Sequence, residues 1–124
     1  MIRAWLWRPL LLVSFGLVAT LSIATTSPGH TAFAASTSPV KVLAKEVNKK
    51  YVFGPATITI KAGQTVVWKN TSDAPHTVTS TTASWKYDKK LNLGKSLQVT
   101  FKKAGTFHYK CLYHAGMVGT VIVH

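Results

Sequence analysis

Acidic residues are almost missing from this chain: 3 Asp+Glu stand against 15 Lys+Arg in 124 residues, a formal net charge of +12. That imbalance points to an anionic counterpart, whether nucleic acid, an anionic membrane surface or an acidic protein. Cysteine occurs once, so an intramolecular disulfide is impossible and a disulfide-stapled secreted miniprotein is excluded. No apolar run reaches the roughly 20 residues of a bilayer span. The longest, residues 10–24, is interrupted by Ser14, Gly16, Thr20 and Ser22. The length allows one small domain, not two with separate cores. Apolar residues are not lacking: at 47% of the chain they exclude a disordered basic tail.

The N-terminal third reads as an address. Arg3 and Arg8 form a short positive region, residues 10–24 an apolar one, and Ala32-Phe33-Ala34 a small-x-small cleavage site. This assigns residues 1–34 to a Sec-type signal peptide, with Ala35 as the mature N-terminus. No cysteine lies near the site, which excludes a lipid-anchored lipoprotein. Arg3 and Arg8 are not adjacent, which argues against twin-arginine export. An uncleaved membrane anchor is the alternative. The expected location is the periplasm or the cell exterior. Removal of 1–34 takes two arginines and no acid, leaving 13 lysines against 3 acids, or +10. In an oxidising compartment a single free thiol is either buried and inert or held by a metal.

The mature part reads as all-β. Residues 35–39 are a linker and 40–124 the folded domain. Val40, Val42 and Ala44 alternate with Lys41, Leu43 and Lys45, and Thr57-Ile58-Thr59-Ile60 alternates likewise. Residues 65–69 form a denser apolar strand with Trp68 as core filler. Leu97, Val99 and Phe101 share one face of a strand, and Phe107, Tyr109 and Cys111 share one face of another. Residues 120–123 are a final strand. Two Lys-Ala-Gly turns, at 61–63 and 103–105, punctuate the series. Short strands with glycine-marked turns predict an antiparallel sandwich or barrel. Residues 85–93 fit either a loop or one helical turn.

Chemistry concentrates near the C-terminus. Cys111, His114 and Met117 follow one another at intervals of three, at a strand end and in a tight loop. His76, after Pro75, offers a second imidazole. One thiolate, two imidazoles and one thioether form the His₂Cys pattern with a weak axial Met that is characteristic of blue copper. Taken singly, His76 and His114 are ordinary loop histidines and Met117 is core packing; the shared spacing makes them ligands. His108 and Lys110 fall on the strand face opposite Cys111. His30 and His124 belong to no site.

From Val52 to the C-terminus the chain resembles the cupredoxins, small blue copper proteins such as plastocyanin, pseudoazurin and amicyanin. The matching residues are Phe53-Gly54-Pro55, Gly63, Val66-x-Trp68-x-Asn70, Pro75-His76, and Gly105-x-Phe107-x-Tyr109-x-Cys111-x-x-His114-x-x-Met117-x-Gly119-x-Val121. The ligand loop has amicyanin length. The resemblance implies a Greek-key antiparallel β-sandwich holding one copper ion, with His76, Cys111 and His114 as equatorial ligands and Met117 axial. Thr77 stands where the family often carries an Asn that braces the ligand loop, which leaves the Thr77 backbone N–H as a donor to the Cys111 sulfur. Tyr113 replaces a Pro common before the second His.

The reading that follows is an exported one-electron carrier, not an enzyme, cycling Cu(II)/Cu(I). Ala74, Pro75, Ala115 and Gly116 would form an apolar patch around His114, where a redox partner docks. The +10 charge calls for an acidic partner or an anionic membrane surface, and a monomer is expected. The lysines are scattered rather than set in a helix or an aromatic stripe, which excludes nucleic acid. A copper chaperone or storage protein is the alternative, but such proteins use Met-rich or Cys-x-x-Cys sites, and this chain has two methionines. A copper oxidase or nitrite-reductase-like enzyme needs a further copper centre, and no His-x-His pair is present. Zinc gains little from a thioether.

Overall fold

The computed structural model describes residues 38–124, together with Gly16. Apart from Gly16, the proposed signal peptide and the first residues of the linker lie outside the described residues. Nine strands follow in order: β1 (Val40–Val47), β2 (Lys50–Gly54), β3 (Thr57–Ile60), β4 (Thr65–Asn70), β5 (His76–Ser80), β6 (Asp88–Leu91), β7 (Ser96–Thr100), β8 (Gly105–Lys110) and β9 (Val118–Val123). They form two sheets, ordered β2-β1-β4-β7 and β3-β9-β8-β5-β6. The all-β sandwich expected from the alternating pattern is therefore present.

The sheets are mixed rather than wholly antiparallel. β1 pairs parallel with β4, and β3 parallel with β9. Neither pair is consecutive in the chain, so each is joined by a crossover instead of a hairpin. The 85–93 stretch holds β6 and no helical turn, because its backbone pairs with β5 from Thr79↔Asp88 to His76↔Leu91.

Period-two patterning decides which side chains meet between the sheets. Val42 and Ala44 from β1, Val66 and Trp68 from β4, Phe107 and Tyr109 from β8, and Val121 and Val123 from β9 are all buried. Their strand neighbours Lys41, Lys69, His108 and Lys110 are exposed. Trp68 is the central filler: its ring meets Tyr109 edge-on at 5.4 Å, Trp85 at 6.3 Å and Phe101 at 6.5 Å. Fully burying one large apolar side chain contributes about 1.5–3 kcal/mol, so this aromatic cluster is a main source of cohesion. The β1–β2 hairpin turns through Asn48 and Lys49, both at positive φ (50° and 62°). This is the mirror-image turn that matches strand twist, with Asn in its favoured first place.

One register decides where chemistry can occur. Antiparallel pairing of Thr79 with Lys110 and Ser80 with Tyr109 lays the start of β5 beside the end of β8. His76 therefore meets the residues that follow Lys110, although 35 residues separate it from Cys111 in sequence.

Gly119 sits opposite Tyr109 in the β8–β9 ladder, and a Cβ there would collide with the Tyr109 ring. That ring is buried between Phe53 and Trp68, at 4.9 and 5.4 Å, and has no room to retreat. Gly119→Ala should cost about 1–3 kcal/mol in chemical denaturation. An unchanged midpoint would show that the ring gives way.

Candidate metal centre

At the pole where β5 begins and β8 ends, three donor atoms converge. His76 Nδ1 lies 3.1 Å from His114 Nδ1. Cys111 Sγ lies 3.8 Å from His76 Nδ1 and 3.5 Å from His114 Nδ1. An ion such as zinc holds imidazole nitrogen at about 2.0–2.1 Å and thiolate sulfur at about 2.3 Å, so two donors of one ion sit roughly 3–4 Å apart. The observed triangle has those dimensions. Among the described residues, His76, Cys111 and His114 are the one cluster of His, Cys, Asp and Glu with its ligand atoms so gathered.

Each donor is presented by local structure. His76 opens β5 and is fully buried. Cys111 follows β8 directly and is the free, buried cysteine. His114 is half-buried. Met117 precedes β9 and is fully buried. The loop carrying the last three is closed by its own backbone: Cys111 N–H donates to Met117 O at 2.9 Å, and Met117 N–H to His114 O at 3.2 Å. Gly116 takes φ +79° inside this loop, a value that favours a residue without Cβ. All four residues singled out in the sequence thus lie at this pole, and His108 and His124 are exposed outside the donor cluster.

The sulfur is surrounded by donors suited to a thiolate. Thr77 N–H and Tyr113 N–H each point to Cys111 Sγ at 3.4 Å. The first is the bond that the family resemblance implies. The loop also has a side-chain brace in spite of the missing Asn: the Thr77 hydroxyl oxygen accepts Leu112 N–H at 2.8 Å and is hydrogen-bonded to Thr79 Oγ1 at 2.9 Å. Threonine thereby ties β5 to the ligand loop from both its backbone and its side chain.

His76 is oriented from behind. Its Nε2 is 2.6 Å from Ser72 Oγ, and Ser72 Oγ is 2.9 Å from Asn70 Oδ1. In the tautomer that leaves Nδ1 free to bind a metal, Nε2–H donates to Ser72 and the serine proton passes to Asn70. Asn70 is buried and fully used: Nδ2 donates to Ala74 O and Leu91 O, and Oδ1 also accepts Ser72 N–H. Burial, then the neighbouring His114, pushes the His76 pKa below its ordinary value, against a smaller opposing pull from Asp73. A neutral imidazole is the form a metal requires.

Ser72, Tyr51 and Asp73 were not singled out in the sequence. The Tyr51 ring packs against both imidazoles, and its hydroxyl donates to Asp73 Oδ1 at 2.8 Å. No spacing rule links residue 51 to residue 76.

Residues 13–123 match the family described as a cupredoxin-like domain. The chain belongs to the cupredoxin family. A chloroplastic plastocyanin from Tetradesmus obliquus is 40% identical over 84 residues, covering 58% of this chain and 58% of its own length. An amicyanin from Paracoccus versutus is 32% identical over 94 residues, covering 73% and 70%. Among solved structures, a purple cupredoxin from Nitrosopumilus maritimus superposes with a TM-score of 0.60 at 26% identity, over 68% of this chain and 99% of that one. A copper-containing nitrite reductase from Thermus scotoductus also matches (TM-score 0.59, 26% identity), over 70% of this chain but 22% of its own. The fold therefore also occurs inside an enzyme. Cupredoxins bind one copper ion, and His76, Cys111, His114 and Met117 of this cupredoxin fit a type 1 site.

Thr77→Val removes the acceptor of Leu112 N–H while keeping side-chain volume. The expected loss is about 0.5–1.5 kcal/mol for one partly buried hydrogen bond removed, measured by chemical denaturation. Stability equal to wild type would mean that the loop does not depend on this brace.

Proposed function

We propose that the protein is a blue copper carrier of single electrons, with His76 Nδ1, Cys111 Sγ and His114 Nδ1 as equatorial ligands and Met117 as a weak axial one. The observation that carries this reading is the buried triangle of two Nδ1 atoms and one Sγ, with edges of 3.1, 3.5 and 3.8 Å. Bound copper would supply the Cu(II)/Cu(I) couple. The chain supplies the rest. Thr77 and Tyr113 N–H groups spread charge from the sulfur, Ser72 fixes the His76 tautomer, and the buried Cys111 and Met117 exclude water. A donor set held this firmly changes little between oxidation states, which favours fast transfer over metal delivery.

His114 is the ligand nearest the surface, so electrons enter and leave there. The exposed Leu112, Tyr113, Ala115 and Gly116 that flank it in the loop support docking there, and Ala74 and Pro75 precede the other imidazole in sequence. A shallow groove beside it, of about 510 Å³, is lined by Lys49, Lys50, Tyr51, Val52, Tyr113, His114, Ala115 and Gly116. Two lysines in a lining that carries no acidic side chain suit an acidic redox partner. Export through residues 1–34 and a monomeric state complete the reading.

Adding Cu(II) to the purified protein should give an intense blue band that ascorbate bleaches and an oxidant restores. Cys111→Ser should abolish it, whereas Met117→Leu should retain copper at a shifted potential. A colourless copper complex, or blue colour surviving in Cys111→Ser, would overturn the assignment. A protein that passes copper to acceptors without cycling would be a chaperone instead.

The lysine rim gives a second expectation. Electron exchange with an acidic redox protein should slow as ionic strength rises through the range where the screening length shrinks to about 8 Å, and Lys49→Glu with Lys50→Glu should flatten that dependence in stopped-flow traces. Identical salt profiles for both proteins would place docking elsewhere.

A further inference from the structure

His76 and His114 are held by different means. The His76 ring is set by the Ser72 hydroxyl at Nε2. His114 has hydrogen-bond contacts only through Nδ1, toward His76 and Cys111. Among the described residues nothing is hydrogen-bonded to its Nε2, and it sits in a loop whose residues 112, 113, 115 and 116 are all exposed. Its ring plane must therefore be set by packing.

Tyr51 supplies that packing. The second residue of edge strand β2, it lies with its ring centroid 4.4 Å from that of His114 at a 46° tilt, and 5.1 Å from that of His76 at 64°. The two imidazoles are themselves 4.9 Å apart. One phenol ring thus bears on both. The tilted and edge-on arrangements are those that the ring quadrupole favours.

Tyr51 is also fastened at both ends. Its backbone lies opposite Glu46 in the β1–β2 ladder. Its hydroxyl donates to Asp73 Oδ1, three residues before His76 and beside Ser72. The ring cannot swing off the imidazoles without losing the Asp73 bond.

We propose that Tyr51 is a positioning residue of the metal centre: its ring sets the plane of the His114 imidazole, and its hydroxyl, through Asp73, joins strand β2 to the loop that presents His76. This inference rests on the copper reading above. It adds that the β1–β2 hairpin, which contributes no ligand, controls the geometry of the ligand nearest the surface.

The test uses the full chain with Tyr51→Leu, which keeps bulk without a π face, and Tyr51→Phe, which keeps the ring. Tyr51→Met replaces the leucine variant if that one does not fold. In the metal-free protein, the His114 ring NMR signals should broaden or average in Tyr51→Leu and stay sharp in Tyr51→Phe. In the copper-loaded protein, Tyr51→Leu should lose copper to a chelator about tenfold faster and shift both the visible band and the potential. Tyr51→Phe should restore most of each. If Tyr51→Leu matches wild type in ring signals, band, potential and copper loss, the proposal is overturned. If wild type forms no blue site, the copper reading fails by itself, and the metal-free ring signals still decide whether Tyr51 positions His114.

Discussion

Three lone-pair donors held within 4 Å of one another are the constraint that the rest of this molecule serves. Two imidazole nitrogens and a sulfur gain little from facing one another, and the two nitrogens have given up water for neighbours rich in lone pairs. Such a cluster persists only where the surroundings over-determine it. The surroundings here do so: Asn70 and Ser72 behind His76, Thr77 across to the loop, the loop's own backbone bonds from Cys111 to Met117, and Tyr51 over both rings. Free energy gathered in the aromatic core around Trp68 is what keeps these donors from relaxing apart.

The sandwich contributes through one register. β5 and β8 share only two paired positions, yet those two place Thr77 opposite the residues after β8. Thr77 then carries three roles at one position: backbone donor to sulfur, side-chain acceptor for Leu112, and partner of Thr79. A slip of one residue would turn it to the other face and remove all three together.

The four ligand positions were legible because ligand chemistry restricts residue type and a tight loop restricts spacing; Cys111, His114 and Met117 needed no structure to be grouped. Most strands were legible for the same kind of reason, a period of two. β5 was not, since His76, Thr77 and Val78 are buried in succession and show no alternation. β6 was hidden by Asp88, Lys89 and Lys90, all exposed. The parallel pairings β1–β4 and β3–β9 leave no local trace, because a partner several strands away does not alter the pattern of either strand. Ser72, Asp73 and Tyr51 act through tertiary placement: the Tyr51–Asp73 bond spans 22 residues, and nothing in a tyrosine's neighbours announces a ring tilted against an imidazole.

The closed ligand loop has a consequence for how such a protein can diversify. Its donors face inward and its backbone bonds to itself, while residues 112, 113, 115 and 116 face outward and are exposed. Mutations at 112, 113 and 115 rewrite the surface a partner meets without moving a donor atom, whereas Gly116 is held by its positive φ. Recognition and redox chemistry, although a few ångströms apart, are therefore nearly independent traits. One can drift under selection for a new partner while the other stays fixed.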